Sequence, residues 1–172
     1  MFPPELSKAI DYSEVYHGKL DLPKNAFPSW DQLVPWFDSS FLNGNKRARD
    51  PHKIFADVKG YDFPIVRDVQ VALGRMLSRT NISCHCYAGF SPNAIASPPH
   101  KDPMEVLFVM IQGSMPWKVF EAGCDYDDKT QTMTSRSTFS RRLEQGDFIY
   151  VPTGVYHVAL PDSSRVGFSF GW

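Results

Sequence analysis

The sequence has no apolar run long enough to cross a membrane and no recognisable secretion signal. No window approaches the roughly 18 consecutive apolar residues of a membrane-spanning helix. The N-terminal stretch MFPPELSKAIDYSEVYHGKL carries acidic residues and prolines where a signal peptide would have a basic segment followed by an apolar one. We therefore predict a cytoplasmic protein without a membrane partner.

The sequence also lacks an excess of charge of either sign. Lys and Arg total 18 against 19 Asp and Glu, which gives a formal net charge of -1. A nearly neutral chain has no overall field to attract nucleic acid. A protein or small-molecule substrate is therefore favoured over nucleic acid. Neither a glycine-rich phosphate loop nor a Ser-His-Asp arrangement stands out.

Cysteine is scarce, and the three cysteines cannot all pair. Cys84 and Cys86 stand two residues apart on a predicted strand and point to the same face, while His85 between them points to the opposite face. Reduced thiols are the simplest interpretation, and a metal site at Cys84-His85-Cys86 is disfavoured by this alternation.

The chain is long enough for one domain, since 172 residues with 42% apolar and 14% aromatic residues can bury a core. We predict a single domain over 1–172 in two parts. Residues 1–80 combine Pro-rich connections with short helical signals and form an N-terminal helical or irregular cover. Within the cover, SWDQLVPWF at 29–37 indicates one helix, and PIVRDVQVALGRMLSRT from Pro64 indicates another.

Residues 81–172 show a sequence pattern typical of strands separated by turns, which predicts a mostly β fold. The runs are short, rich in β-branched and aromatic residues, and separated by Gly, Pro, Asn and Asp. They predict an antiparallel sandwich or barrel with the helices packed outside. The runs are ISCHCYAGF, EVLFVMIQG, WKVFEAG, DFIYVP, VYHVAL and RVGFSFGW.

The segment SPPHKD at 97–102 places an imidazole and a carboxylate two residues apart. On an extended segment, His100 and Asp102 project to the same side, which suits chelation of a metal. A third candidate, His157, follows the Pro152-Thr153-Gly154 turn in a run that otherwise reads as core. A neutral core histidine is the alternative for His157.

Two histidines and one carboxylate on one face of a metal leave other coordination positions open. That arrangement suits non-haem Fe(II) oxygen chemistry, and zinc accepts the same ligand types. The ligand set alone leaves the metal open.

Residues 80–172 resemble the JmjC-type cupin oxygenases, which are Fe(II)- and 2-oxoglutarate-dependent hydroxylases built on a double-stranded β-helix. SPPHKDPMEVLFVMIQGSMPWKVFE is similar to the family's His-x-Asp strand, the apolar strand after it, a Gly turn and an aromatic-basic strand. LEQGDFIYVPTGVYHVAL resembles the family's Leu-Glu-x-Gly-Asp, strand, Pro-x-Gly, aromatic-His signature.

The resemblance implies a fold, two cofactors and a set of site residues. The fold is a double-stranded β-helix of the cupin or jelly-roll type over 81–172, and the cofactors are Fe(II) and 2-oxoglutarate. His100, Asp102 and His157 are the implied iron ligands, with no catalytic residue beyond them. Ser97 and Tyr87 match positions that line the cosubstrate in the family.

One position departs from the family pattern. Met115 stands where many members have a lysine that pairs with the distal carboxylate of 2-oxoglutarate, and a buried dicarboxylate without a cation is costly. Strand parity suggests Arg165 as the replacement, because it shares a face with Gly167 and Ser169 in RVGFSF. Lys118 is out of phase with Met115 and ranks lower.

Two alternatives follow from this departure. A metal-binding cupin without 2-oxoglutarate turnover, such as a sensor or inactive member, is one. A cupin that uses its metal for a cosubstrate-free reaction is the other.

The stretch CDYDDKTQTMTSRSTFSRR at 124–142 is predicted to be an exposed excursion between strands. Its acidic residues either belong to a solvated loop or form a contact for a basic polypeptide.

Overall fold

The structure is a computed structural model that describes residues 1–42, 53–94 and 96–172. Within these ranges the helices are α1 (Glu5–Asp11), α2 (Trp30–Leu42) and α3 (Pro64–Leu77), with a 3₁₀ turn at Lys24–Ala26. The strands are β1 (Tyr16–Lys19), β2 (Lys53–Asp57), β3 (Ser83–Gly89), β4 (Val106–Gln112), β5 (Ser114–Phe120), β6 (Tyr126–Asp127), β7 (Thr132–Met133), β8 (Ser137–Glu144), β9 (Asp147–Val151), β10 (His157–Ala159) and β11 (Arg165–Gly171). The prediction of a mostly β fold is confirmed.

The strands form a large sheet, a small sheet and a hairpin, all of them antiparallel. The large sheet has the order β1-β9-β4-β11-β3-β2, the small sheet has the order β10-β5-β8, and β6 pairs with β7. Side chains from both sheets meet in one apolar layer, so the sheets pack face to face. This layer comprises Phe108, Met110, Met115, Trp117, Val119, Leu143, Ile149 and Val151.

The N-terminal helices cover the outer face of the large sheet. Leu107, Val109 and Ile111 of β4 belong to the core that contains the buried side of α3, whereas Phe108 and Met110 belong to the layer between the sheets. A strand covered on both faces reads as a continuous apolar run. This explains the uninterrupted sequence VLFVMI in β4.

Helix α3 confirms the prediction of a helix that begins at Pro64. Phe63 before it is extended, as a following proline favours, and Pro64 occupies the first turn. The helix buries Ile65, Val69 and Leu73 at helical spacing. None of the described helices has the length and hydrophobicity of a membrane span.

The region 1–80 contributes strands as well as helices to the structure, which was not predicted. β1 pairs with β9 and β2 pairs with β3, so these two strands form the two edges of the large sheet. Each has only four or five residues. Such short stretches give too few alternations for their pairing to be recognised from the sequence.

The prediction of an exposed excursion over 124–142 is wrong for its C-terminal part. β8 (Ser137–Glu144) pairs with β5 along its length. One face of this edge strand is open to solvent, and among its residues only Leu143 is fully buried. A strand with so few apolar residues resembles a loop in the sequence.

Replacing Gly113 by alanine should cost more stability than the same change at Gly123. Both glycines have positive φ, +75° and +81°, a region that costs a non-glycine residue about 1–2 kcal/mol. At Gly113 a Cβ would also overlap the carbonyl oxygen of Ser164 and lie 3.2 Å from the Arg165 Cα, whereas at Gly123 nothing lies within 4 Å. We expect the unfolding free energy to fall by about 1–3 kcal/mol more in Gly113→Ala, measured by urea denaturation. Equal losses would contradict a close contact between the β4–β5 turn and β11.

Candidate metal centre

Backbone hydrogen bonds bring the segment around His100 against the start of β10. The His100 amide donates to the His157 carbonyl at 3.1 Å, and the His157 amide donates to the His100 carbonyl at 3.0 Å. The Gly154 amide also donates to the carbonyl of Asp102 at 3.0 Å. The two sequence motifs therefore meet through main-chain contacts, which place their side chains on the same side.

The side chains of His100, Asp102 and His157 converge. Each offers one ligand atom, and these atoms all lie within 4.8 Å of one another. The His157 Nε2 lies 3.3 Å from Asp102 Oδ2, and the His100 Nε2 lies 4.0 Å from Asp102 Oδ1. Three donors at this spacing can surround one metal ion and leave further positions open.

Both imidazoles are held by the nitrogen that faces away from the centre. His100 Nδ1 lies 2.9 Å from the carbonyl of Pro98, and His157 Nδ1 lies 3.1 Å from the carbonyl of Val155. A carbonyl only accepts, so each Nδ1 carries the proton and each Nε2 keeps its lone pair. This is the orientation that metal-binding histidines require, and the donor set therefore fits a divalent metal such as Fe(II) or Zn(II).

Asp102 is kept in its ionised form. Its contact with His157 lowers the pKa of Asp102, partial burial opposes this effect, and the nearby His100 adds a smaller lowering. The centre thus supplies one negative charge alongside two neutral nitrogens.

The three side chains border a cavity of about 410 Å³. Such a volume lies within the range of small-molecule sites. Ser97, Tyr87 and Arg165 border the same cavity. The structure therefore brings together every residue that the sequence indicated for the site. Met115 is also part of the wall, whereas Lys118 is not among the described residues that line it.

The hydroxyl group of Tyr87 remains protonated near the centre. Although 47% of the Tyr87 surface is exposed, desolvation of its hydroxyl group raises its pKa to about 12, and the charge of Asp102 contributes in the same direction. Tyr87 and Ser97 each keep an exposed surface toward the cavity. Both can donate a hydrogen bond to a ligand.

Arg165 is buried, with only 6% of its surface exposed. Its Nη1 donates to the carbonyls of Ser91 at 3.4 Å and Ser163 at 3.3 Å, and its Nη2 donates to the carbonyl of Ala94. Burial lowers its pKa. Among the residues that the structure describes, no carboxylate forms an ion pair with it. The guanidinium is therefore hydrogen-bonded, but its charge has no paired carboxylate in the described structure.

Lys53 and Trp117 are among the cavity residues that were not predicted as site residues. Lys53, at the start of β2, borders the cavity because alternation in KIFAD turns it and Phe55 away from the core. This alternation can be interpreted only after KIFAD has been recognised as a strand. Trp117 also lines the cavity, and its buried Nε1 has no partner among the described residues. Trp117 stands two residues after Met115 on the predicted strand, so alternation could have placed both side chains on the same face.

A family model, described as the JmjC domain, matches residues 66–172 of the chain. A curated relative is the "Bifunctional lysine-specific demethylase and histidyl-hydroxylase NO66" of Drosophila grimshawi, which is 28% identical over 94 residues. The match covers 47% of this chain and only 13% of that protein.

The similarity to solved structures extends over more of the chain than the sequence similarity to the curated relative does. YcfD, a ribosomal oxygenase from Escherichia coli in complex with cobalt and succinic acid, has a TM-score of 0.63 at 14% identity, covering 96% of this chain and 50% of that chain. A Pseudomonas putida prolyl-4-hydroxylase has a TM-score of 0.64 at 11% identity, covering 97% and 96%. These likenesses confirm the predicted double-stranded β-helix fold.

Asp102→Asn should weaken metal binding, and Asp57→Asn should not. Asp57 provides a matched control because its carboxylate also lies 3.3 Å from a histidine, His85, outside the three-residue cluster. Loss of a residue that only supports a metal ligand costs about 10–100-fold in affinity, so loss of a charged ligand should cost at least as much. Equilibrium dialysis with Co(II) measures the effect, and equal affinities for the two variants would contradict the assignment of Asp102.

Proposed function

This chain belongs to the JmjC domain family, and from that premise we propose that it is an Fe(II)- and 2-oxoglutarate-dependent oxygenase. It hydroxylates a protein side chain or a small molecule. The observation that carries the proposal is the cavity itself, which joins two histidines and a carboxylate at one place to a buried arginine at another. A 2-oxo dicarboxylate has complementary groups, a chelating end and a distal anionic end.

His100, Asp102 and His157 hold the iron in the proposed enzyme. Fe(II) with 2-oxoglutarate would supply an oxidation in which O₂, 2-oxoglutarate and a C–H bond give CO₂, succinate and a C–OH group. The side chains have no acid-base step to perform. Their task is to bind, to orient and to exclude water.

Arg165 is the proposed partner of the distal carboxylate. A guanidinium has five N–H donors, and the three carbonyl bonds of Arg165 leave two. Two donors are what a bidentate carboxylate takes. An anion there would also neutralise a charge that is costly to bury alone.

The position of Arg165 supports its substitution for the missing lysine. Gly113, two residues before Met115, lies against the start of β11, where its Cβ would stand 3.2 Å from the Arg165 Cα. The Ser163 hydroxyl also donates to the Ser114 carbonyl at 3.3 Å. Arg165 thus enters close to the part of β5 where other members have lysine.

Tyr87 and Ser97 complete the proposed cosubstrate site. Both side chains border the cavity and carry hydroxyl donors. The apolar wall formed by Phe108, Met115 and Trp117 excludes water, which strengthens the electrostatic contacts inside.

The names of the relatives support a protein substrate. One is a demethylase and histidyl-hydroxylase, one a ribosomal oxygenase and one a prolyl-4-hydroxylase. The nearly neutral charge of the chain favours a protein or small molecule over nucleic acid. Asp125, Asp127 and Asp128 lie exposed around the β6–β7 hairpin and form the proposed contact for a basic polypeptide.

Met115 favours one alternative, a metal-binding cupin that does not turn over 2-oxoglutarate. Met115 is 4% exposed and cannot supply a charge to the cavity. If Arg165 binds only the carbonyls of Ser91, Ala94 and Ser163, then neither Met115 on β5 nor Arg165 on β11 can bind the distal carboxylate. Direct binding distinguishes the two functions.

Anaerobic titration of the Fe(II)-loaded protein with 2-oxoglutarate should give a saturable charge-transfer band in the visible range, because a chelating 2-oxo acid would take open positions on the iron. Arg165→Gln should weaken 2-oxoglutarate binding about 10–100-fold, the cost of a lost hydrogen-bonded charge pair. Pyruvate, which lacks the distal carboxylate, should bind both forms equally. Lys118→Gln is the control, since this cation lies outside the cavity wall.

One outcome would contradict the oxygenase function, and another would contradict the role of Arg165. No band in the wild-type protein with stoichiometric iron would favour the metal-binding cupin. Equal weakening of pyruvate and 2-oxoglutarate in Arg165→Gln would mean that the guanidinium only supports the loop that contains Ser91 and Ala94.

A further inference from the structure

Trp117 has a polar group that the protein itself leaves unused. Its side chain is 5% exposed, and its Nε1 is buried without a hydrogen-bond partner among the described residues. Buried tryptophan N–H groups normally find an acceptor. The indole also borders the cavity that contains the three predicted metal ligands.

The strand β5 places Trp117 between the metal centre and the start of β11. Along β5, Val119 stands opposite His157 and Trp117 stands opposite Ala159. The Trp117 ring lies 5.6 Å from the His157 ring at an interplanar angle of 10°. Met115 follows two residues further from the centre, toward Arg165. The indole is thus the wall residue of β5 that contacts a predicted metal ligand.

We propose that the Trp117 N–H donates to an oxygen of the ligand that chelates the metal, at the metal-binding end of a 2-oxo acid. Nε1 itself is closed to water, although Trp117 is one of the residues that border the cavity. A ligand oxygen held at the metal can supply the missing acceptor after a small tilt of the ring. Trp117 is then a binding residue for the chelating end, and Arg165 is one for the distal end.

The inference rests on the metal centre of the proposed function, but it does not require 2-oxoglutarate. Any bidentate oxygen ligand on the metal would serve, and oxalate is the simplest probe because it has only the chelating end. Zn(II) is a suitable metal, since the donor set accepts it and it is diamagnetic.

The test follows the indole N–H of the Zn(II)-loaded protein by ¹H–¹⁵N spectroscopy during titration with oxalate. The chain has four tryptophans, and the Trp117 signal is the one lost in Trp117→Phe. We expect that signal to move downfield as oxalate saturates the site. We also expect Trp117→Phe to weaken oxalate binding about 5–100-fold by calorimetry, the cost of one hydrogen bond at a buried site.

Trp30→Phe is the matched control. Trp30 packs against Phe90 and is not among the residues that line the cavity. The same chemical change there should leave oxalate binding within about twofold of wild type, the range of a remote substitution. If Trp117→Phe loses zinc, replacement of Trp117 by 3-benzothienylalanine retains the bicyclic ring and removes only the N–H.

The outcomes separate this inference from the proposed function. An unmoved Trp117 signal with unchanged oxalate affinity in the variant overturns the role of Trp117, whatever the result with 2-oxoglutarate. A Trp117 effect with oxalate in a protein that never binds 2-oxoglutarate supports the inference and contradicts the proposed function. Failure of the wild-type protein to bind Zn(II) and Fe(II) overturns both.

Discussion

The reciprocal backbone hydrogen bonds between His100 and His157 are the constraint on which the site depends. They form an isolated antiparallel bridge between two segments that are far apart in the sequence. A slip of one residue in a strand turns its side chains to the opposite face. The bond from the Gly154 amide to the Asp102 carbonyl adds a second contact between the same segments. The convergence of three ligand atoms is therefore a result of sheet register.

A chain of packed rings connects the large sheet to this bridge. At Gly167 of β11 the Phe108 ring occupies the space that any Cβ would need. Phe108 contacts Trp117 with ring centroids 4.8 Å apart, and Trp117 stacks on His157. Closely packed interiors leave such rings little freedom. The orientation of a predicted metal ligand thus depends on a glycine in the middle of the opposite sheet.

The sequence predicted the local features of the site better than the long-range ones. The i, i+2 spacing of His100 and Asp102 and the turn before His157 were visible because they involve few residues and strict alternation. Lys53 was not recognised, since β2 is a short edge strand whose place is decided by pairing with β3. β8 was interpreted as loop because its polar residues face solvent. The unpartnered state of the Trp117 N–H depends on all its neighbours, and no sequence pattern contains that information.

The location of the cavity's buried positive charge has a consequence beyond charge balance. A lysine on β5 would bring its ammonium on a flexible stem, whereas Arg165 has three donors committed to carbonyls at Ser91, Ala94 and Ser163. Ser91 and Ala94 belong to the connection that leads from β3 toward Ser97 and His100. An anion that binds Arg165 also restrains the guanidinium that holds this connection. Binding effects of this kind are reciprocal, so the contacts of Arg165 with Ser91 and Ala94 favour anion binding as much as the anion favours these contacts. In the proposed oxygenase, cosubstrate binding at Arg165 would therefore be coupled to the positions of Ser91 and Ala94 through one side chain.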